Sequence, residues 1–489
     1  MRRAPIRRVY CGSPPVSTVR RSRPLPDGVG ESAAGRWRRR LLDLLGRNLS
    51  VVVLLLLCLI SSVATWREQN PITSRSGGAV ARQVLEACPV PCSVLVVARD
   101  TEADRVFARA IEEGLDGSRV RIAGRVFGQP RDVRLELERI AGIGGSLDAI
   151  ATHRIASDWG PVRSAGARVF SPGSYYWPTF LTPRNLLNVV NQNADIAIIA
   201  LGMTLVILTA GIDLSVGSLL ALAGVIVAVT AQEWFGGAAA SPAGLLAAMI
   251  LGVAAAALGG LLSGTMVTAF RVPPFVATLG LMMLARGLAL ILAVGHQRRL
   301  VGGGAEGTPE AVRVDAAAFA WLGNGAALGV PNPILLMLVL FVAAHLLMTR
   351  TMFGRYVYAV GGNVEAARLS GVPVTAVLLA VYCLCGAFAG LAGIVDASRF
   401  EGGRPNAGEL YELQVIAAVV VGGASLAGGR GRIAGTLIGA MIIAVIQNGL
   451  NIAGVASYEQ KVVFGALILA AVLLDRLQPR PHRMRRKPL

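Results

Sequence analysis

The sequence predicts an all-α polytopic membrane protein of about ten transmembrane helices, with a small α/β insert after the first helix. Three observations predict this. The 489 residues are 54% hydrophobic and 16% charged, with a mean hydropathy of +0.59, which excludes an ordinary soluble domain. Apolar runs of about 20 residues, enough to cross a hydrocarbon core of roughly 30 Å, recur along the chain without a central charge. One long interruption, residues 67–184, carries 16 Arg and 13 acidic residues and so has the composition of a water-soluble unit.

Residues 1–47 hold 12 Arg against three acids, with Pro, Ser and Gly and no sustained apolar period. They read as a basic, disordered cytoplasmic tail. Residues 48–66 contain an uninterrupted Val51 to Leu57 run and close on Trp66 and Arg67. With further spans following and no convincing cleavage site, this is an uncleaved first helix that acts as a signal anchor. Residues 478–489 form a second basic cytoplasmic tail. The ends of the chain, residues 1–47 and 476–489, carry +15 of the net charge of +18. Basic flanks beside apolar spans follow the positive-inside rule and place both termini in the cytoplasm against anionic lipid headgroups, so the charge does not indicate nucleic acid.

The segment 67–184 alternates strand and helix signals. Ser93–Ala98 and Arg119–Phe127 read as strands, Asp148–Thr152 as a third and Ala167–Phe170 as a fourth. Between them, Glu102–Leu115 reads as a helix with Val106, Ala110 and Ile111 on one face, and Pro130–Ile143 as another. This order implies a small parallel sheet. Cys88 and Cys92 lack a second pair at zinc-like spacing, leaving a local disulfide or two free thiols open.

Past Arg184, residues 185–477 form the membrane domain. Nine further helices are expected near 194–212, 214–232, 243–269, 275–294, 332–348, 374–397, 412–426, 433–453 and 459–474. Counting crossings from a cytoplasmic N-terminus puts Arg271, the Arg350 to Arg368 loop, Arg430 and Arg432 on the inner side. The small-residue pattern Gly386, Gly390, Gly393 marks close helix packing.

Within the apolar spans, GMTLVILTAGIDLSVGSL (202–219) is the most informative stretch. It sets Asp213 among apolar residues, with Gly211 before it and Ser215, Gly217 and Ser218 after it. A carboxylate at membrane depth costs several kcal/mol unless paired or solvated, which marks a substrate pathway. Capping of the following half-helix through backbone amides is the structural alternative. Arg286 is a second intramembrane charge, for which Asp213 or Asp195 could be the partner. Gln447, Asn448 and Asn451 lie about one turn apart, as glue between helices or as lining of a sugar-sized polar path. In the loop 349–374, Asn363 precedes a short helix, Val364–Leu369, which Gly371 and Pro373 terminate. With Arg355 and Arg368 beside it, that helix is either a docking element or a plain connector. Only Lys461 and Lys487 are lysines, and Val462 and Pro488 follow them, so the chain has no phosphate-binding loop of the Walker type. No nucleophile, base and oxyanion set is present, so the chain is not expected to be an enzyme.

From about Leu181 to Leu477 the chain closely resembles the permease subunit of ribose- and xylose-type ATP-binding-cassette sugar importers. Four stretches carry the resemblance: NLLNVVNQNADIAIIALGMTLVILTAGIDLSVGSLLALAG, VPPFVATLGLMMLARGLAL, FGRYVYAVGGNVEAARLSGV and ELQVIAAVVVGGASLAGGRGRIAGTLIGA. The resemblance implies a homodimeric pore in the bacterial inner membrane, a separate cytoplasmic ATPase that binds the ATP, an extracytoplasmic sugar-binding protein, and no cofactor on this chain. It also implies that Glu365, Ala366 and Ala367 with Gly371, flanked by Asn363 and Arg368, form the helix that couples to the ATPase. Residues 67–184 are similar to the first lobe of a periplasmic sugar-binding protein through SVLVVA, DTEADRVFARAIEEGL and DAIATH, with no second lobe to close over a sugar. The expected function is therefore import of a pentose-like monosaccharide. An ion-gradient-driven transporter using Asp213 and Arg286, and a receptor sensing a ligand through the insert, are the competing classes.

Overall fold

The computed structural model describes residues 49–88, 91–301 and 310–477, so the two expected tails lie outside the described residues. Helix α1 (Leu49–Ala64) is mainly apolar and without a charge, and leads through Thr65 into strand β1 (Trp66–Gln69). Next come α2 (Ser74–Ala87), β2 (Cys92–Ala98), α3 (Glu102–Leu115), β3 (Val120–Phe127), α4 (Pro130–Gly142) and β4 (Ala149–Thr152). Two short helices follow, α5 (Arg154–Ser157) and α6 (Gly160–Ser164), then β5 (Arg168–Phe170) and β6 (Tyr175–Pro178).

Strands β3, β2, β4 and β5 form one parallel sheet in that order. β2 lies inside it and is buried almost throughout, which explains its continuous apolar run. Helices α2 and α3 cover one face with Val80, Val84, Phe107 and Ile111. The other face takes Val133 and Ile140 of α4, with Ala156 and Val162. α3 buries Asp104, Phe107, Ala108, Ile111 and Leu115, while Val106 is exposed. The expected face is thus displaced by one position, because Phe107 fills the core and Asp104 is drawn inward by partners. Those partners are Arg99, Thr101 and His153: Arg99 Nη2 lies 3.1 Å from Asp104 Oδ2 and His153 Nε2 2.7 Å from Oδ1. His153 Nδ1 accepts the Ala156 N–H, so the ring proton sits on Nε2, facing Asp104. This cluster fills the carboxyl ends of β2 and β4, where the strand order reverses and where a sheet of this kind leaves its crevice. Cys88 and Cys92 are joined in a disulfide, which decides between the two expected states. β1 pairs antiparallel with β6 and closes the two ends of the unit on each other.

The membrane part begins with α7 (Pro183–Gln192) and α8 (Ala194–Leu208), bent by 45° at Asn193. It continues through α9 (Val216–Trp234), α10 (Pro242–Thr268) and α11 (Pro274–Val301). Strand β7 (Val312–Arg313), helix α12 (Ala317–Asn324) and a small hairpin of β8 (Ala326–Ala327) and β9 (Val330–Pro331) lead to α13 (Asn332–Arg350). Then come α14 (Met352–Gly362), α15 (Val364–Leu369), α16 (Val374–Arg399), β10 (Gly402–Gly403), α17 (Tyr411–Val421), α18 (Ile433–Ile452) and α19 (Ser457–Leu477). Among the described residues, six helices are long and apolar enough to cross a membrane, or seven if the α7 and α8 pair counts as one span. The chain is thus a multi-pass membrane protein. Two of the ten expected spans correspond to shorter apolar helices, α1 and α17. α17 is short because the chain before it, residues 400–410, is not helical.

α16 is the central column, packed on α8, α9 and α10. Its small residues permit this: Gly386 and Gly390 meet the backbone of α10, Gly393 meets α9, and Cys385 lies against Gly202 of α8. The loop 349–374 contains one helix that the sequence did not suggest, α14, capped by Thr351 onto Gly354 N.

Candidate functional site

The break between α8 and α9 is built by local chemistry. α8 ends in a Schellman arrangement in which Ala210 N–H donates to Ile207 O at 2.9 Å and Gly211 N–H to Val206 O at 3.0 Å. The left-handed position belongs to Ala210 (φ 60°), where glycine is usual, so the break holds mild backbone strain. Gly211 serves another purpose, since a Cβ there would stand 2.6 Å from the Tyr382 hydroxyl. Asp213 follows, with no solvent exposure. Its Oδ1 accepts from Ser215 N–H at 2.9 Å and Ser215 Oγ at 2.6 Å, at the mouth of α9. Its Oδ2 and the Tyr382 hydroxyl are buried without hydrogen-bond partners, and Cys385 lies beside the carboxylate. Ser218 is buried in the first turn of α9. Asp213 therefore closes a turn onto Ser215, the residue that precedes the first turn of α9, inside a buried polar cluster.

Arg286 on α11 pairs with neither Asp213 nor Asp195. Its Nη1 donates to Pro405 O and Ala407 O, both at 2.7 Å, and the acids acting on it are Glu412 and Glu409. These carbonyls belong to the irregular segment 400–410, which runs along α9: Gly408 approaches Gly217, and a Cβ on Gly403 would stand 2.6 Å from Val225 Cα. Buried non-helical backbone must find its hydrogen bonds inside the protein, and Arg286 supplies two. Asp195 has a different partner, Arg399 at 3.6 Å, whose Nη2 also donates to Asn191 O. Asp396 pairs with Arg404 at 2.6 Å, and that guanidinium stacks 3.5 Å over the Phe400 ring. The buried Asp396 and the partly buried Arg399 and Arg404 were not singled out from the sequence. Their signal is present in the sequence, as an acid in the last residues of the expected helix 374–397 and two arginines just past it.

The three amides of α18 diverge. Asn448 exchanges two hydrogen bonds of 3.0 Å with Asn185 of α7. Asn451 Oδ1 accepts from Gln460 of α19 at 2.9 Å. Gln447 Oε1 is buried without a partner. Two of the three thus act as glue between helices.

On α15, Asn363 Oδ1 accepts the Ala366 N–H at 3.0 Å and caps the first turn. At the other end Gly371 (φ 81°) closes a Schellman motif, with Val372 N–H donating to Ala367 O. Glu365 and Arg368 pair at 3.5 Å on the surface. Ala367 alone is buried in this helix, and Leu369 is 89% exposed. A two-turn helix fixed at both ends and bare on its outer face offers a preformed surface. Behind it, Gly361 of α14 packs on the Leu208 carbonyl, which also accepts Gly429 N–H at 2.9 Å. The bare helix is therefore joined, through α14, to the end of α8 that precedes Asp213.

Comparison with known proteins adds the following. The family model described as "Branched-chain amino acid transport system / permease component" matches residues 185–472, which leaves the α/β unit outside it. The chain is similar to the ribose import permease protein RbsC of Escherichia coli (strain K12), 47% identical over 267 residues that cover 54% of this chain and 76% of that protein. RbsC of Bacillus subtilis (strain 168) is 46% identical over 262 residues, with coverage of 54% and 75%. The xylose transport system permease protein XylH of Escherichia coli (strain K12) is 36% identical over 317 residues, with coverage of 54% and 79%. No solved structure matches the chain.

Proposed function

The chain belongs to the permease family whose model covers residues 185–472, and from that premise we propose that it is the membrane-spanning subunit of an ATP-driven importer of a monosaccharide, pentose-like in size. The ribose and xylose permeases among its relatives support that cargo class. The observation that carries the reading is α15, capped by Asn363 and Gly371 and exposed along Glu365, Ala366 and Arg368. Such a helix suits a cytoplasmic ATPase, which supplies the nucleotide chemistry that this chain's sequence lacks. Closure of the ATPase pushes α15, and the push passes through α14 and Gly361 to the end of α8.

In this reading a homodimer in the bacterial inner membrane crosses the bilayer ten times per subunit, with both termini cytoplasmic. Residues 67–184 form an extracytoplasmic insert, in keeping with the Cys88–Cys92 disulfide. The Arg99, Asp104 and His153 cluster occupies the place where the insert would hold a sugar, so capture is assigned to a separate binding protein. Asp213 acts by holding the break in shape, and Arg286 by holding the segment 400–410. Both shape the pathway rather than coordinate cargo.

The test is uptake of labelled ribose and xylose into proteoliposomes holding this chain, with and without its ATPase and binding protein. Uptake that requires the ATPase and ATP, and that is abolished by Ala366→Trp on the bare face of α15, is the expected result. Uptake that persists without the ATPase overturns the proposal.

A further inference from the structure

The ribbon of β1 and β6 carries four large aromatic side chains in eight residues: Trp66, Tyr175, Tyr176 and Trp177. All four are between 45 and 65% exposed. Pairing of Arg67 with Trp177, Glu68 with Tyr176 and Gln69 with Tyr175 fixes the faces. Trp66 and Tyr176 lie on one face, Tyr175 and Trp177 on the other. A ribbon laid on a soluble core hides one face and wets the other. Here both faces are aromatic and neither is covered.

The ribbon's position says what surrounds it. Thr65 alone separates it from α1, and the joint is stiff: Thr65 Oγ1 accepts the Phe180 N–H at 3.1 Å, and Thr65 O accepts the Thr179 N–H at 2.9 Å. α1 turns Leu55, Leu56, Leu59, Ile60 and Val63 outward, as a lipid-facing helix does. α1 runs for 16 residues, which at a helical rise of 1.5 Å amount to about 24 Å, most of a hydrocarbon core of about 30 Å, and Thr65, Trp66 and Arg67 carry the chain on from its end. Arg67, and with it the ribbon, therefore falls at the headgroup boundary. Tryptophan and tyrosine, apolar in the body and polar at the tip, concentrate in that layer.

We infer that the β1 and β6 ribbon is immersed in the headgroup layer of the leaflet beside it, and that it moors the α/β unit against the membrane surface. The mooring rests on α1 spanning the membrane and is independent of the cargo proposed above. It fixes the distance of the α/β unit from the membrane domain at both chain entry and chain exit.

The full chain in phosphatidylcholine vesicles tests this, in variants that keep one tryptophan with the others changed to Phe. Lipids brominated near the headgroup end of the acyl chain should remove most of the emission of Trp66 and of Trp177. They should quench several-fold more strongly than lipids brominated at the chain end. Trp159, on the body of the α/β unit, should be untouched by either. A Tyr176→Trp variant lacking both ribbon tryptophans reads the same layer without depending on the native pair. Emission from the ribbon that is insensitive to both lipids overturns the mooring, whether aqueous iodide then quenches it, as for a ribbon standing clear in water, or fails to, as for one covered by protein.

Discussion

The contact between Gly361 and Leu208 permits a paired test with its own control. In Gly361→Ala, the new Cβ would stand 2.7 Å from Gly429 N and closer still to the Leu208 carbonyl oxygen, both backbone atoms that no rotamer change can move. Restoring an ordinary contact near 3.5 Å to the Leu208 oxygen means opening the junction by about 1.8 Å. Overpacking of this kind costs about 1–3 kcal/mol. The Gly429 N–H to Leu208 O bond of 2.9 Å is stretched with it, a further loss of about 1 kcal/mol. Alanine returns about 0.8 kcal/mol of helix propensity, leaving a net destabilisation of about 2 kcal/mol. The neighbouring Gly362 has nothing within 4 Å of its would-be Cβ, so Gly362→Ala keeps the helix gain without the clash. Equilibrium unfolding in detergent should therefore separate the two variants by about 3 kcal/mol. Two variants within about 0.5 kcal/mol of each other would refute the close-packed junction. In the reconstituted importer, Gly361→Ala should also lower uptake per ATP hydrolysed, whereas Gly362→Ala should not.

Three further outcomes follow from the same geometry. Arg286→Ala strands the buried carbonyls of Pro405 and Ala407 and should destabilise the protein by about 2–5 kcal/mol in the same assay; a fully stable Ala variant rejects the clamp on segment 400–410. The Asn185 and Asn448 pair should give a coupling of about 1 kcal/mol in a double-mutant cycle of alanine replacements, and strict additivity removes the case for glue. Burial holds the His153 imidazole below its ordinary value of about 6.5, with Asp104 opposing that shift. Because the unfolded state binds the proton more readily, the α/β unit keeps its full stability above about pH 6.5 and loses it as the pH falls toward the folded value. Amide exchange in β2 and β4 should accelerate on acidification, and His153→Gln should flatten that dependence; an unchanged profile in the variant would place the pH sensitivity elsewhere.

Much of the α/β unit was legible because its signals are local. Glu102–Leu115 lies between a Thr101 cap and Asp116 as the periodicity implied, and β2 is a run of branched apolar residues whose burial on both faces needs no long-range information. α2 escaped notice because Gly77 and Gly78 blur its pattern, and the tertiary reason for Gly77 is that α3 passes over it at the Phe107 carbonyl. In the membrane part, hydropathy located the apolar segments but could not tell a span from a half-span. α17 is short because the preceding residues are held unwound by Arg286 and by close passage along α9. The same limit applies to partners. Asp195, Asp213, Asp396 and Arg286 announce themselves as charges in apolar sequence, yet spacing alone cannot say which of them meet.

The sequence by itself determined that this chain is a polytopic membrane protein, where α15 begins and ends, and that Asp213 and Arg286 are charges set in apolar sequence, because hydropathy, capping and charge cost are properties of short stretches. Only the tertiary structure decided that Asp213 is closed off beside Tyr382 and Cys385, that Arg286 serves backbone carbonyls, and that Asn448 and Asn451 bind helix to helix. Those outcomes depend on which helices come side by side, and in a membrane protein that choice is made by close contacts among small residues scattered over the whole chain.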